Sequence, residues 1–207
     1  MKHLFQIAIS LSLLVSLPVL AAGDAGAGQG KAAICAACHG ADGNSVVPNW
    51  PKIAGQHAAY LERHLNLIKN GDRAVPEMSG IVVSLSAQDM ADLAAYFAGQ
   101  TTTAGLADES LITRGEQLYR AGNAATDVPA CSSCHGPAGE GNPLSGYPAL
   151  AGQHSVYSEK MLKGFRSGQT WGEDDANSKI MTTVANRLTD DEIKAVSSYI
   201  QGLHAVE

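Results

Sequence analysis

Apolar positions along this chain recur with a period near 3.6, and they do so in matched sets. Tyr60, Leu61, Leu65 and Ile68 share one helical face that ends at Asn70-Gly71, and Tyr157, Met161, Leu162 and Phe165 repeat it ahead of Gly168. Met90, Leu93, Ala94 and Phe97 line a later face, matched by Ile193, Val196 and Ile200. Both of these later stretches open on a capping box, Ser86-Ala87-Gln88-Asp89 and Thr189-Asp190-Asp191-Glu192, with Asp89 a shorter substitute for the usual Glu or Gln. A short helix is expected before residue 35 and another before residue 131, with about eleven extra residues between Gly115 and Cys131 in the second copy. No alternating pattern signals a strand ladder, so the expected fold class is all-α.

The matched sets belong to a longer repeat. Cys35-Ala36-Ala37-Cys38-His39-Gly40 returns as Cys131-Ser132-Ser133-Cys134-His135-Gly136, and Pro51-Lys52-Ile53-Ala54-Gly55-Gln56-His57 returns as Pro148-Ala149-Leu150-Ala151-Gly152-Gln153-His154. Met78 lies seven residues before Leu85, as Met181 does before Leu188. The order is kept and the offset drifts only through short insertions, which is the mark of a duplicated domain. The polar stretch Gly99-Gln100-Thr101-Thr102-Thr103-Ala104-Gly105 has no apolar period and is the expected join, giving domains over 22–103 and 104–207. Units this small bury little core unaided, so a large apolar cofactor fixed inside each would make up the deficit.

The first 21 residues read as a secretory leader: Met1-Lys2-His3, an apolar run from Leu4 to Leu20, then small residues. Cleavage after Ala21 would remove 21 of the 207 residues and leave 186. A retained membrane anchor is the alternative, but Ser10, Ser12, Ser16 and Pro18 interrupt a run barely long enough to span. The formal charge of −6 offers nothing to a phosphate backbone, so nucleic acid is not an expected partner. Export also sets the redox compartment, and that matters for the cysteines.

All four cysteines sit in the two Cys-x-x-Cys-His units, the attachment signature of c-type haem. Two thiols one helical turn apart can add to the two vinyl groups of one porphyrin, and the His that follows is aimed at the iron from the same side. Structural disulfides would leave His39 and His135 unexplained. A thioredoxin-type redox pair would need a βαβ pattern, and a zinc site would need four thiolates gathered from two self-contained repeats. The expected cofactors are therefore two covalently attached haem c groups, one through Cys35 and Cys38 and one through Cys131 and Cys134.

His39 and His135 supply one axial ligand each. Among the methionines, Met90 and Met161 fall on apolar helical faces and read as packing residues. Met78 and Met181 take equivalent places, expected to be loops before the last helix of each half, and are the expected second ligands. His57 and His154 also repeat. Each opens a helix after Ala-Gly-Gln, where a haem propionate or a backbone group could be its partner, and they are left outside the iron's coordination. Pro51 and Pro148 are expected to accept the Nδ1–H of the ligating His through their carbonyls and so hold its ring.

With these residues in view, the chain resembles the di-haem cytochrome c4 family, a tandem of class I cytochrome c domains, over the whole mature length. The resemblance implies haem ligation by His39 with Met78 and by His135 with Met181, and two domains facing each other across a pseudo-twofold axis with propionates near the interface. It further implies a periplasmic protein, at times loosely held at the membrane, carrying electrons from a cytochrome bc complex or another donor to a terminal oxidase. The chain departs from the family in the insertion before Cys131 and in the longer loop Gln169–Lys179, which bear on the symmetry of the two haem pockets and not on the ligation.

An iron with His and Met ligands has no open position, so the expected role is one-electron transfer and not catalysis on a bound substrate. The alternative is a haem-bearing subunit of a flavin-dependent dehydrogenase complex, which sequence alone separates poorly from a free carrier. A haem enzyme would need an open iron or a cysteine ligand, and no cysteine is left uncommitted. The donor and acceptor, the order of the two potentials and the choice between a monomer and a weak homodimer stay open at this stage.

Overall fold

The computed structural model describes residues 22–204, and the leader expected over 1–21 lies outside the described residues. The first half runs α1 (Ala25–Lys31), α2 (Ala33–His39), α3 (Ala58–Asn70), α4 (Pro76–Val82) and α5 (Ala87–Ala98). The second runs α6 (Glu109–Ala121), a 3-10 turn (Ala124–Thr126), α7 (Ser132–His135), α8 (Ser155–Arg166), α9 (Ala176–Ala185) and α10 (Asp190–Gly202). Among the described residues the only β pairing is two isolated bridges, Asn123 with Val128 and Asn142 with Tyr147.

Each domain is built on a crossing of its first and last helices, α1 with α5 and α6 with α10, and α3 or α8 packs on the last helix. A glycine makes each crossing close. A Cβ at Gly28 would lie 2.0 Å from the Asp92 carbonyl oxygen, and one at Gly115 would lie 2.4 Å from that of Ala195. These glycines are thus equivalent, with Cys35 seven residues after the first and Cys131 sixteen after the second. The insertion is therefore nine residues, not about eleven. It forms the 3-10 turn and a loop that buries Val128.

Both capping boxes form. The Ser86 hydroxyl accepts from Asp89 N–H at 3.1 Å while the Asp89 carboxylate accepts from Ser86 N–H at 2.9 Å, so the shorter acid still reaches. Thr189 and Glu192 pair in the same way at 3.2 and 3.0 Å. Lys31 then ties α1 to α5 through Asp89 and Asp92, and Arg114 ties α6 to α10 through Glu192.

The connector from α5 to α6 is extended and pinned to both halves. Lys52 donates to the Thr103 carbonyl, Asn44 and Thr103 pair side chain to side chain, and Gly105 N–H donates to the Gln201 carbonyl at 2.9 Å. These bonds fix each end of the connector to its own domain.

Candidate haem sites

Each site begins at a helix end. Cys35 and Cys38 sit on α2 with His39 as its last residue, and Cys131 caps α7, which carries Cys134 and ends at His135. All four thiols are free. Among the described residues no group of three or more His, Cys, Asp or Glu side chains gathers, so the Cys pairs form two separate sites and not one four-thiolate site. Burial pushes the Cys35 thiol up and the Cys131 thiol up to about 11.

Beyond each His the chain must turn back to present the proline. Gly43 (φ 81°) and Gly139 (φ 76°) make that turn in the left-handed region that side chains disfavour. Their carbonyls accept Ile53 N–H at 2.8 Å and Leu150 N–H at 2.7 Å, which draws the proline segment against the Cys-x-x-Cys-His turn. His39 Nδ1 then donates to the Pro51 carbonyl at 2.8 Å, and His135 Nδ1 to the Pro148 carbonyl at 2.9 Å. Both rings are buried, and burial lowers their pKa despite the carbonyl partner. With Nδ1 as donor, each ring is held as the neutral tautomer whose Nε2 lone pair is free. That nitrogen makes no hydrogen bond among the described residues, which is what a metal-ligating imidazole requires.

The chain's residues fit haem c on this chemistry. Two unpaired thiols stand one turn apart, beside a buried imidazole whose Nε2 is left without a hydrogen bond among the described residues, and the set occurs twice. Met78 and Met181 lie inside helices, on α4 and α9, and not in loops. The sequence pattern hid this because Pro76 and Ser79-Gly80 in the first copy interrupt the apolar period; Pro76 occupies the first helical position, where its missing N–H costs nothing. Both methionines are half-buried, and Met181 packs against the second core. Met90, by contrast, is 2% exposed within the first domain.

The repeated Ala-Gly-Gln-His segments meet the opposite domain. His154 Nε2 donates to the Ser45 carbonyl at 2.7 Å, a backbone partner, whereas His57 Nε2 is buried without one among the described residues. Sequence reasoning gave no role to a buried cluster nearby. Arg73 donates to His64 Nδ1 at 2.8 Å and to the Tyr157 hydroxyl at 2.9 Å and lies 4.8 Å from the centre of the Trp171 ring. Arg63 pairs with Asp175 across the same boundary. Burial, then Arg73 and Arg63, push His64 down to about 2, so it stays neutral and serves as an acceptor.

Two Cys-x-x-Cys-His sites, each with its proline-held histidine, define a di-haem c-type cytochrome. The comparisons agree with that class and narrow it. The family model for cytochrome c matches residues 24–100 and 112–204. Cytochrome c4 of Pseudomonas aeruginosa is 50% identical over 201 residues, spanning 96% of this chain and 99% of that one. The crystal structure of reduced recombinant cytochrome c4 from Pseudomonas stutzeri superposes with a TM-score of 0.84 at 49% identity, covering 88% of this chain and 100% of that chain. A thiosulfate dehydrogenase electron acceptor of Thiomonas intermedia is 33% identical over 82% of this chain and 78% of its own length. The chain belongs to the cytochrome c4 family, and it is an electron-transfer protein with two covalent haem c groups and not an enzyme.

Proposed function

We propose that this chain relays single electrons in the periplasm between a respiratory donor, such as a cytochrome bc complex, and a terminal oxidase. The observation that carries the reading is the repeated pair of buried histidines, each bonded through Nδ1 to a proline carbonyl and each following two free thiols on one turn. The attachment residues are Cys35, Cys38, Cys131 and Cys134; the axial ligands are His39 with Met78 and His135 with Met181. When bound, haem c supplies a one-electron iron couple. The residues around it fix the imidazole tautomer, fill both axial positions and shield the centre from water. The domain boundary lies at 103/104, within the extended connector.

The periplasmic assignment is supported by the leader-like first 21 residues and by the oxidising compartment that c-type attachment needs. No described helix is long and apolar enough to cross a membrane. Partner proteins are redox partners and not nucleic acid, and self-association is at most a weak homodimer. The alternative, a haem-bearing subunit of a dehydrogenase complex, is supported by the relative named as a thiosulfate dehydrogenase electron acceptor.

The test is reconstitution. Reduced protein added to membranes holding a terminal oxidase but stripped of soluble cytochromes should restore oxygen uptake, and a bc complex with quinol should re-reduce it. Reduction by a thiosulfate dehydrogenase and not by the bc complex would replace the proposed donor with a sulfur-oxidising one. No electron acceptance from either, with both haems present, would contradict the carrier reading.

A further inference from the structure

One peptide group stands behind each ligating histidine, and its far side belongs to the other domain. The Pro51 carbonyl that accepts from His39 and the Lys52 N–H are the two ends of a single peptide unit. Lys52 N–H donates to Gln153 Oε1 at 2.9 Å, and Gln153 Nε2 donates back to the Lys52 carbonyl at 2.8 Å. The mirror arrangement holds in the other half: Ala149 N–H donates to Gln56 Oε1 at 3.0 Å, and Gln56 Nε2 donates to the Ala149 carbonyl at 2.9 Å. Each Oε1 also accepts the N–H of the histidine that follows it, His57 or His154, at 3.0 Å. Two N–H donors on one end and a carbonyl on the other leave each side-chain amide one orientation.

We propose that Gln56 and Gln153 are positioning residues that tune the haem of the opposite domain. This rests on ligation by His39 and His135. A peptide whose N–H is donated becomes a stronger acceptor at its oxygen, by roughly 10–30% per bond in a connected chain. Gln153 therefore strengthens the Pro51···His39 bond, raises the basicity of the His39 ring and favours the ferric state of the first centre. Gln56 does the same for His135 and the second centre. The consequence is a crossed dependence: docking of the domains is felt at both axial histidines through one hydrogen-bonded peptide each, in addition to any through-space field.

The experiment uses the intact di-haem protein and its Gln153→Leu and Gln56→Leu variants. Two readouts are taken: the two one-electron midpoints, and the proton resonances of the His39 and His135 Nδ1–H groups in the reduced protein. Gln153→Leu should raise the midpoint of the first haem by about threefold in the one-electron reduction constant, roughly 30 mV at 59 mV per tenfold. It should move the His39 Nδ1–H resonance upfield and leave that of His135 in place. Gln56→Leu should do the reverse. Gln153→Glu, which keeps the accepting oxygen, should return the His39 resonance to its original position or further downfield. Arg63→Gln loosens the interface without touching either peptide, and should leave both resonances unmoved. The proposal is overturned if the leucine variants shift only the haem of their own domain, if they shift neither, or if Arg63→Gln reproduces the crossed shifts. Failure of the ligation reading is distinguishable, because the carbon-bound ring protons of His39 and His135 in the unaltered protein would then lack the large ring-current shift of an imidazole seated over a haem.

Discussion

The two domains share a helix plan and a haem motif but not a core. In the first, Ala32, Leu93 and Phe97 form a cluster edged by Cys35, Ile53, Leu61, Leu85 and Tyr96, and Ala54, Ile68, Val82, Met90 and Ala94 are buried outside it. In the second, the cluster runs from Leu118 and Tyr119 through Val128, Phe165 and Trp171 to Leu188, Ile193, Val196, Ile200 and Leu203. The additions come from the nine-residue insertion, which supplies Val128, and from the longer loop after α8, which supplies Trp171. Tyr119 is fully buried with its hydroxyl donating to the Gly136 carbonyl at 2.7 Å, so it braces the helix that leads into the haem motif. In the first domain the tie to the segment after the motif comes from the last helix instead, Tyr96 donating its hydroxyl to the Ala41 carbonyl at 3.2 Å, and α1 and α2 are separated only by Ala32. The second domain thus has the larger protein core around its Cys-x-x-Cys-His unit, and the first is expected to rely more on the cofactor for apolar contact.

That contrast is most severely tested by removing one attachment site at a time. Cys35→Ala with Cys38→Ala should unfold most of the first domain, while Cys131→Ala with Cys134→Ala should leave the second with much of its helix protected. Hydrogen exchange by peptide, with haem counting by mass, checks both. Equal loss in the two variants would show that the larger core adds nothing without its haem.

A smaller effect is expected from Trp171→Ala. Trp171 packs on Phe165 at 5.2 Å between ring centres and meets His64 of the first domain edge-on at 4.4 Å. Its loss should destabilise the second domain by about 3–5 kcal/mol, the usual range for a buried large aromatic. It should also expose Arg73, whose cation loses its aromatic face. Denaturant unfolding followed separately in each domain measures it, and a loss confined to the interface with no change in the second domain's midpoint would remove Trp171 from that core.

Smaller again is an acid effect. The Lys31 ammonium, with Asp24 N–H and the Gln88 amide, holds the Asp92 carboxyl down to about 2. A carboxylate depressed in the folded state stabilises above its unfolded value near 4, and that contribution is lost as pH falls from about 4 toward 2. In the second domain, burial alone would raise Glu192, but bonds from Thr189, Asn123 and Arg114 outweigh it and leave its pKa lowered as well. Asp92→Asn should therefore flatten the acid limb of the first domain only, read as the pH dependence of exchange in α1 and α5. An unchanged limb would mean that the α1–α5 tie is not what acid breaks.

Much of this was legible in the sequence because the repeat supplied every local signal twice. Helical periods, capping boxes and the Cys-x-x-Cys-His units depend on residues a few positions apart, and so did the pairing of His39 with Pro51 and His135 with Pro148 once the motif fixed what each side chain must do. What lay between the domains was not legible. Gln56 and Gln153 were visible as repeated letters, but their partners are about a hundred residues away and are backbone groups, which leave no trace in side-chain pattern. Arg73, His64 and Trp171 have no repeat counterparts to mark them: His64 stands where the second copy has Met161. Met78 was placed in a loop for a related reason, since a helix of two turns with Pro76 and Gly80 in it shows no apolar face long enough to read.

The central claim is that each domain holds its own centre with one histidine and one methionine, and a potentiometric titration of the intact protein beside its Met181→His variant tests it most directly. The intact protein should show two one-electron waves, both losing the weak sulfur-to-iron charge-transfer band on reduction. In the variant, attachment through Cys131 and Cys134 is untouched, so both haems remain. One wave should fall by a sizeable part of the roughly 0.8 V span that axial ligands command, because imidazole favours ferric iron more than thioether does. The other wave should move little. Two waves falling together, or no fall at all, or the same fall produced by replacing Met90 or Met161 instead, would contradict the account.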